Sequence, residues 1–261
     1  MRQLALVLLP LAAFGAARAQ DASSPDAGDA PGLLLFSHST GWRHDSIPAG
    51  VEALSALGER EGFRVTATED PAVFSSDGLE GIAVVVLLNT TSDATKPDGE
   101  WFVGERREAF QSFVEAGGGV VGVHGASDSH YEWDWYGAMI GGHFARHPQG
   151  TPEGELHVTD AADPSAEGLP ASFARSDEWY YFDDFDPTTH LVVTLDPRSI
   201  GEADVNPNPI SWRHDYEGGR VFYTAMGHTK ESYRDDLFLT HLAGGLRWAA
   251  GLTEAPAAPA P

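Results

Sequence analysis

The chain has 261 residues, 42% hydrophobic, 21% charged and 10% aromatic, with 29 glycines, 17 prolines and no cysteine. Sixteen lysines and arginines stand against 39 aspartates and glutamates, a formal charge of -23. This composition excludes a disordered chain, a collagen-like repeat, a disulfide scaffold, thiolate nucleophiles and cysteine-ligated metal or iron–sulfur centres. So few cations argue against a nucleic-acid partner, which needs a basic face to displace counterions, and against anionic lipid.

Residues 1–19 read as a secretory signal peptide. Arg2 gives the positive start, Leu4 to Phe14 a short apolar core, and Ala17-Arg18-Ala19 the small residues of a cleavage site. No cysteine follows, so no lipoprotein anchor is expected. The mature protein is expected to be periplasmic or secreted, without membrane insertion after cleavage, and its acidity suits a solvated, self-repelling surface. Residues 20–31 and 253–261 are Ala/Pro-rich ends expected to be disordered.

Between them, Leu33 to Phe36 reads as a buried strand and Ser37 to Ser46 as a polar loop. Pro48 to Glu61 has helical spacing of Val51, Leu54 and Leu57. Phe63 to Thr68 alternates like a strand. Ile82 to Leu88 is the continuous β-branched run of a parallel strand covered on both faces. Glu105 to Ala116 is an amphipathic helix and Gly119 to Val123 another buried strand. Beyond these, Leu156 to Thr159 and His190 to Leu195 read as strands. Pro209 to Trp212 and Arg220 to Thr224 flank a hairpin turn, and Leu237 to Trp248 is a closing helix. The alternation predicts one α/β domain with a mostly parallel sheet between helical layers and a less regular second half.

In such a sheet, ligands bind beyond the carboxyl ends of the strands. Histidines follow three strands there: His38 and His44 after the first, His124 after Val123, and His228 after the last. Asn89 follows the central strand. Gly122-Val123-His124-Gly125-Ala126 has the small residues of a nucleophile elbow, with an imidazole in place of a nucleophile, suited to a general base or a metal ligand. His143 and His147 lie four apart, sharing a face if the segment is helical, although two glycines and a proline bracket them. Asp177-Glu178 precedes an aromatic run and supplies an acid or a carboxylate that orients a histidine. The aromatics Trp42, Tyr131, Trp133, Trp135 and Trp212 stand near these loops and suit the C–H faces of sugar rings.

Taken in order, five segments resemble the ThuA-like (trehalose-utilisation) family. They are His38-Ser39-Thr40-Gly41-Trp42-Arg43-His44, Gly122 to Ser127, Gly141 to Pro148, Asp177 to Tyr180, and Pro209 to Trp212 leading to Gly219 to His228. The resemblance spans 32–252. It implies a class I glutamine-amidotransferase-like fold, a flavodoxin-like three-layer sandwich with elaborated second-half loops, and a link to disaccharide catabolism through sugars oxidised at the third carbon. Amidotransferase relatives carry cysteine at the elbow, so His124 removes glutamine hydrolysis. The expected activity is a metal-assisted hydrolase or lyase acting on glycosides or 3-keto-glycosides, with a small carbohydrate as partner. The alternative is a non-catalytic carbohydrate-binding protein. His124, Glu178 and His44 are the expected catalytic residues, with His124 as base or ligand. His38, His143, His147 and His228 are the expected metal ligands. Trp42, Asn89, Trp133, Trp135 and Trp212 are expected to touch substrate. The histidine-rich, cysteine-free set favours zinc; no nucleotide or flavin is expected. A standard two-carboxylate glycosidase is weaker, because no second carboxylate evidently pairs with Glu178.

Overall fold

The computed structural model describes residues 30–203 and 206–254. The expected signal peptide lies outside the described residues, as do 20–29 of the linker and 255–261 of the tail.

Short apolar runs closed by glycine or polar turns build the parallel half. It consists of β1 (Gly32–Phe36), α1 (Ile47–Arg60), β2 (Arg64–Thr68), β3 (Ile82–Leu88), α2 (Glu105–Glu115) and β4 (Gly119–Val123). The chain continues through α3 (Asp134–Ile140), β5 (His143–Arg146), β6 (Glu153–Val158), β7 (Ser172–Ser176), β8 (Tyr181–Asp183), β9 (His190–Asp196), β10 (Asn208–Tyr216), β11 (Gly219–Thr224) and α4 (Asp236–Ala249). One nine-stranded sheet runs β2-β1-β3-β4-β11-β10-β9-β6-β7, and β5 pairs with β8 in a small separate ribbon. From β2 to β11 every pairing is parallel. From β11 outward to β7 the sheet turns antiparallel. The hairpin joining β10 to β11 turns on Glu217 and Gly218, both at positive φ, as a two-residue turn matched to strand twist requires.

Helices cover both faces, which makes the three layers. A Cβ on Gly119 would strike Ala249 of α4, whereas one on Gly122 would meet Ile140 of α3 at 2.5 Å. Residues three apart on a strand face opposite sides, so α4 and α3 lie on opposite faces of β4. The β1, β3 and β4 strands are buried along almost their whole length, which explains their lack of alternation. α4 starts at Asp235, whose carboxylate accepts the Leu237 N–H at 2.9 Å. Among the described residues no helix is long and apolar enough to cross a membrane.

Three elements were not anticipated, α3, β5 and β7, while β8 falls at the end of the aromatic run expected as a strand after Asp177-Glu178. Each is short, and α3 packs two tryptophans and a tyrosine near a turn rather than showing a clean amphipathic stripe. The His143 to His147 segment is extended, not helical. The strand ends at Arg146, one residue before His147, and residues four apart along an extended chain are separated by about 13 Å, so these two imidazoles are too far apart to share one ion as a helix would allow.

Candidate metal centre at the sheet edge

β1, β3, β4 and β11 all end at the same edge, and each delivers a loop to it. β4 stops at Val123 and His124 follows at φ 47. This elbow needs its small neighbours: a Cβ on Gly122 would lie 2.5 Å from Ile140, and one on Gly125 would lie 3.1 Å from Thr91 and 3.2 Å from His44. The β1 loop turns inward only at its end, where His44 is buried just ahead of α1. β11 leads through Gly227, at φ 114, to His228. Glu178 comes from the segment joining β7 to β8, across the antiparallel half.

These four side chains converge. One donor atom from each of His44, His124, Glu178 and His228 lies within 4.8 Å of all the others. His124 Nε2 is 3.4 Å from Glu178 Oε2, His228 Nδ1 is 3.2 Å from the same oxygen, and the two nitrogens are 3.2 Å apart. The three imidazole rings stand nearly perpendicular to one another, with centroids 4.9 to 5.2 Å apart. His124 Nδ1 meets the carbonyl of Ala225 at 2.7 Å. A carbonyl only accepts, so Nδ1 carries the proton and Nε2 turns its lone pair to the cluster. Tyr180 packs at a tilt against the His124 ring, with centroids 4.1 Å apart.

The donor set fits a tetrahedral cation. Ligands about 2.0–2.1 Å from a zinc ion sit roughly 3.3–3.4 Å from one another, the spacing seen among His124, His228 and Glu178. His44 Nδ1 is buried without a hydrogen-bond partner, an orphaned donor or acceptor beside the cluster. Burial, and after it the His124 and His228 rings, push His44 down to about 2, so it stays a neutral ligand. Burial works to raise the Glu178 carboxyl, but its interactions with the neighbouring His124 and His228 rings outweigh it and hold Glu178 well below the usual range. His228 is raised in return: burial opposes its charge, and the Glu178 carboxylate more than compensates.

The remaining expected site residues are distributed otherwise. His147 reaches the centre's edge, with Nδ1 3.3 Å from Glu178 Oε1, the oxygen turned away from His124 and His228. His143 is not in the group. Its ring stacks on Tyr131 at 4.9 Å and packs against Gly137. His38 is also outside it, lying between Phe36 and Trp101. Asn89 is fully buried and cannot touch substrate. Its amide nitrogen donates to Ser46 Oγ, the Gly227 carbonyl and Tyr233 Oη, and its oxygen accepts the Gly125 N–H. It ties together the loops that carry His44, His124 and His228. Trp212 is 0% exposed, with its indole N–H on the Ile140 carbonyl, and Trp133 is buried beneath the Arg107 guanidinium. Trp135 bonds Glu217, at the β10–β11 turn and so at the sheet end opposite the site. Of the five expected substrate contacts only Trp42, 70% exposed and two residues before His44, is exposed at the sheet edge that carries the site.

Two further residues support the centre: Asp177, named in the sequence with Glu178 as an acid or histidine-orienting carboxylate, and Tyr223, which the sequence reading did not single out. Asp177 is buried and accepts the Gly227, His228 and Glu178 N–H groups and the Ser232 hydroxyl, while Arg175 neutralises it. The carboxylate thus fixes the backbone at both Glu178 and His228. Tyr223 Oη donates to the His124 carbonyl at 2.8 Å. A second acidic group, Asp160, Asp163 and His190, is already occupied by the Arg213 guanidinium on Asp163. A large cavity of about 1030 Å³ lies along α2 and the 72–79 segment, and no histidine lines it.

A parallel sheet with a histidine at its elbow and a His/Glu cluster along the carboxyl edge defines an α/β protein of the class I glutamine-amidotransferase-like fold, with the nucleophile replaced by a metal-type donor set. The ThuA family, described as trehalose utilisation, matches residues 32–249, and the chain belongs to that family. A ThuA-like protein from Bacteroides uniformis ATCC 8492 is 24% identical over 84% of this chain and 92% of its own, with a TM-score of 0.69. One from Parabacteroides merdae ATCC 43184 is 21% identical over 88% and 93%, with a TM-score of 0.65. The β-galactosidase from Bacillus circulans sp. alkalophilus shares the fold over 85% of this chain and 31% of its own, at 12% identity and a TM-score of 0.54. No curated protein matches the chain.

Proposed function

We propose that the chain is an exported, metal-assisted hydrolase or lyase acting on glycosides or 3-keto-glycosides. The observation that carries the reading is the spacing of His124 Nε2, His228 Nδ1 and Glu178 Oε2, with the unpaired His44 beside them. His44, His124, His228 and Glu178 hold a divalent cation, zinc by the character of the donors. When bound, that cation acts as a Lewis acid on a sugar oxygen. The chain's own residues set the rest. The Ala225 carbonyl fixes the His124 tautomer, which makes His124 a ligand rather than a base. Asp177 locks the peptide groups behind Glu178 and His228. Trp42 offers a flat apolar face to a sugar ring.

Export is supported by the charge and apolar pattern of residues 1–19.

The test is metal analysis of the purified chain together with turnover of 3-keto-trehalose. The expected result is about one zinc per chain and turnover that His124→Ala and Glu178→Gln abolish, in keeping with a two- to four-decade loss for essential groups. Sugar binding without metal or product marks the non-catalytic alternative, in which Trp42 alone carries recognition.

A further inference from the structure

We infer that Asp128 is the proton donor to the departing glycosidic oxygen and that Tyr131 positions it; this rests on the glycoside reading above.

Asp128 ends the turn that His124 begins. Its N–H bonds the Gly125 carbonyl at 2.9 Å and its own carbonyl accepts the Ser92 N–H at 3.1 Å, so its backbone is pinned to both the elbow and the β3 loop. Tyr131 Oη lies 2.6 Å from Asp128 Oδ1 and 3.0 Å from the Phe144 carbonyl. Phe144 packs at a tilt on Tyr180, and Tyr180 on His124, and both His124 and Glu178 act electrostatically on Asp128, so the Asp128–Tyr131 pair stands beside the centre. Among the described residues no group hydrogen-bonds to Oδ2.

The hydroxyl of Tyr131 has one proton and faces two acceptors. With Asp128 ionised, one of the two goes unserved. With Asp128 protonated, Oδ1–H reaches Tyr131 Oη and the tyrosine proton goes to Phe144. When the acid proton sits instead on Oδ2, that oxygen is free to donate outward. As the proton leaves, the Tyr131 hydroxyl swings from Phe144 to Oδ1 and stabilises the new carboxylate. Other groups act in the same sense. Burial chiefly raises the Asp128 carboxyl, and the negative Glu178 and Asp93 add to it, against the Tyr131 hydrogen bond and His124. Asp128 is the second carboxylate near Glu178 that spacing in the sequence did not reveal.

The step balances. The glycosidic C–O bond breaks with its electron pair on oxygen, and that oxygen takes the Asp128 proton. C1 takes a new bond in its place, a C1=C2 double bond from the C2–H electron pair in an elimination or a C1–OH bond from water in a hydrolysis, and the proton released from C2 or from that water restores the Asp128 carboxyl.

The experiment compares wild type and Asp128→Asn on 3-keto-trehalose and on the 4-nitrophenyl 3-keto-glucoside, with zinc content measured on both proteins. A general acid contributes about 10²–10⁴-fold, so Asp128→Asn is expected to lose that much on 3-keto-trehalose. It is expected to lose under about tenfold on the nitrophenyl substrate, whose leaving group needs no proton. Zinc content is expected to be unchanged. Tyr131→Phe is expected to move the high-pH limb of the rate profile upward, since it removes a hydrogen bond to the carboxylate. Without substrate, infrared difference spectra across an acid titration are expected to show one carboxyl that ionises above the ordinary aspartate range and vanishes in Asp128→Asn. Equal losses on the two substrates, no loss, loss of zinc, or no such carboxyl overturns the assignment while the glycoside reading stands. A zinc-loaded wild type inert to both substrates overturns the two together.

Discussion

The imidazole of His124 donates through Nδ1 to the backbone carbonyl of Ala225 at 2.7 Å, across 101 residues of sequence. The contact joins the end of β4 to the end of β11, which are neighbours in the sheet. It turns a histidine in the position of a nucleophile into a fixed donor aimed at the cluster. His124→Gln has no nitrogen lone pair to offer there. Its zinc affinity, measured by competition with a chromophoric chelator, is expected to fall at least 100-fold with the circular dichroism unchanged.

Gly125 is held tight between Thr91 and His44. Its φ is not in the left-handed region, so Gly125→Ala costs no backbone strain; the new methyl must displace the His44 ring or Thr91. The expected outcome is a 10–100-fold loss of zinc affinity, the range seen when a ligand's support is disturbed, with less than about 1 kcal/mol lost from the metal-free fold. Chelator competition and urea melts of the metal-free chain measure the two.

The tryptophans are expected to divide sharply. Trp42→Ala removes an exposed ring and raises KM roughly tenfold, about 1.4 kcal/mol of lost stacking, with unchanged melting. Trp212→Ala empties the core between Phe182, Phe185 and Tyr223 and is expected to cost about 3–5 kcal/mol of stability in urea.

His241 sets an acid limit on stability away from the centre. It is fully buried, with Nδ1 2.6 Å from the Ser165 carbonyl and Nε2 2.9 Å from Ser211 Oγ. Burial pushes it down to about 4. A depressed histidine leaves stability intact above the unfolded value near 6.5; below that the unfolded chain takes up a proton the folded chain refuses. Stability therefore falls from about pH 6.5 to about pH 4, by roughly 2 kcal/mol between pH 7 and pH 5. Urea midpoints at the two pH values are expected to show a drop that is smaller in His241→Gln than in wild type by roughly 2 kcal/mol.

The strands of the parallel half were legible because each is a run of β-branched or leucine residues bracketed by glycine and polar turns. Their common edge then predicted where His44, His124 and His228 would meet. Glu178 was singled out beside them on sequence, but its approach from the far half was not visible there. The tryptophans misled because an indole in the core and an indole in a binding face look alike in sequence; Trp133 and Trp212 differ from Trp42 only in which way their backbone turns them. His143 and His147 misled because four-residue spacing brings two side chains together only on a helix, and the segment that starts at His143 pairs with β8 as a strand, which spreads them about 13 Å apart. Asn89 was placed at the right edge but turns inward, to other loops.

Glu178 stands apart from its three partners in one respect: it is reached through the outer antiparallel strands, whereas the histidines hang from the inner parallel ones. A cation gripped by all four would therefore act as a rivet between the two halves of the molecule. Stripping it should loosen their seam before either half melts, and saturating it at a hundred times its dissociation constant should restore about 2.7 kcal/mol.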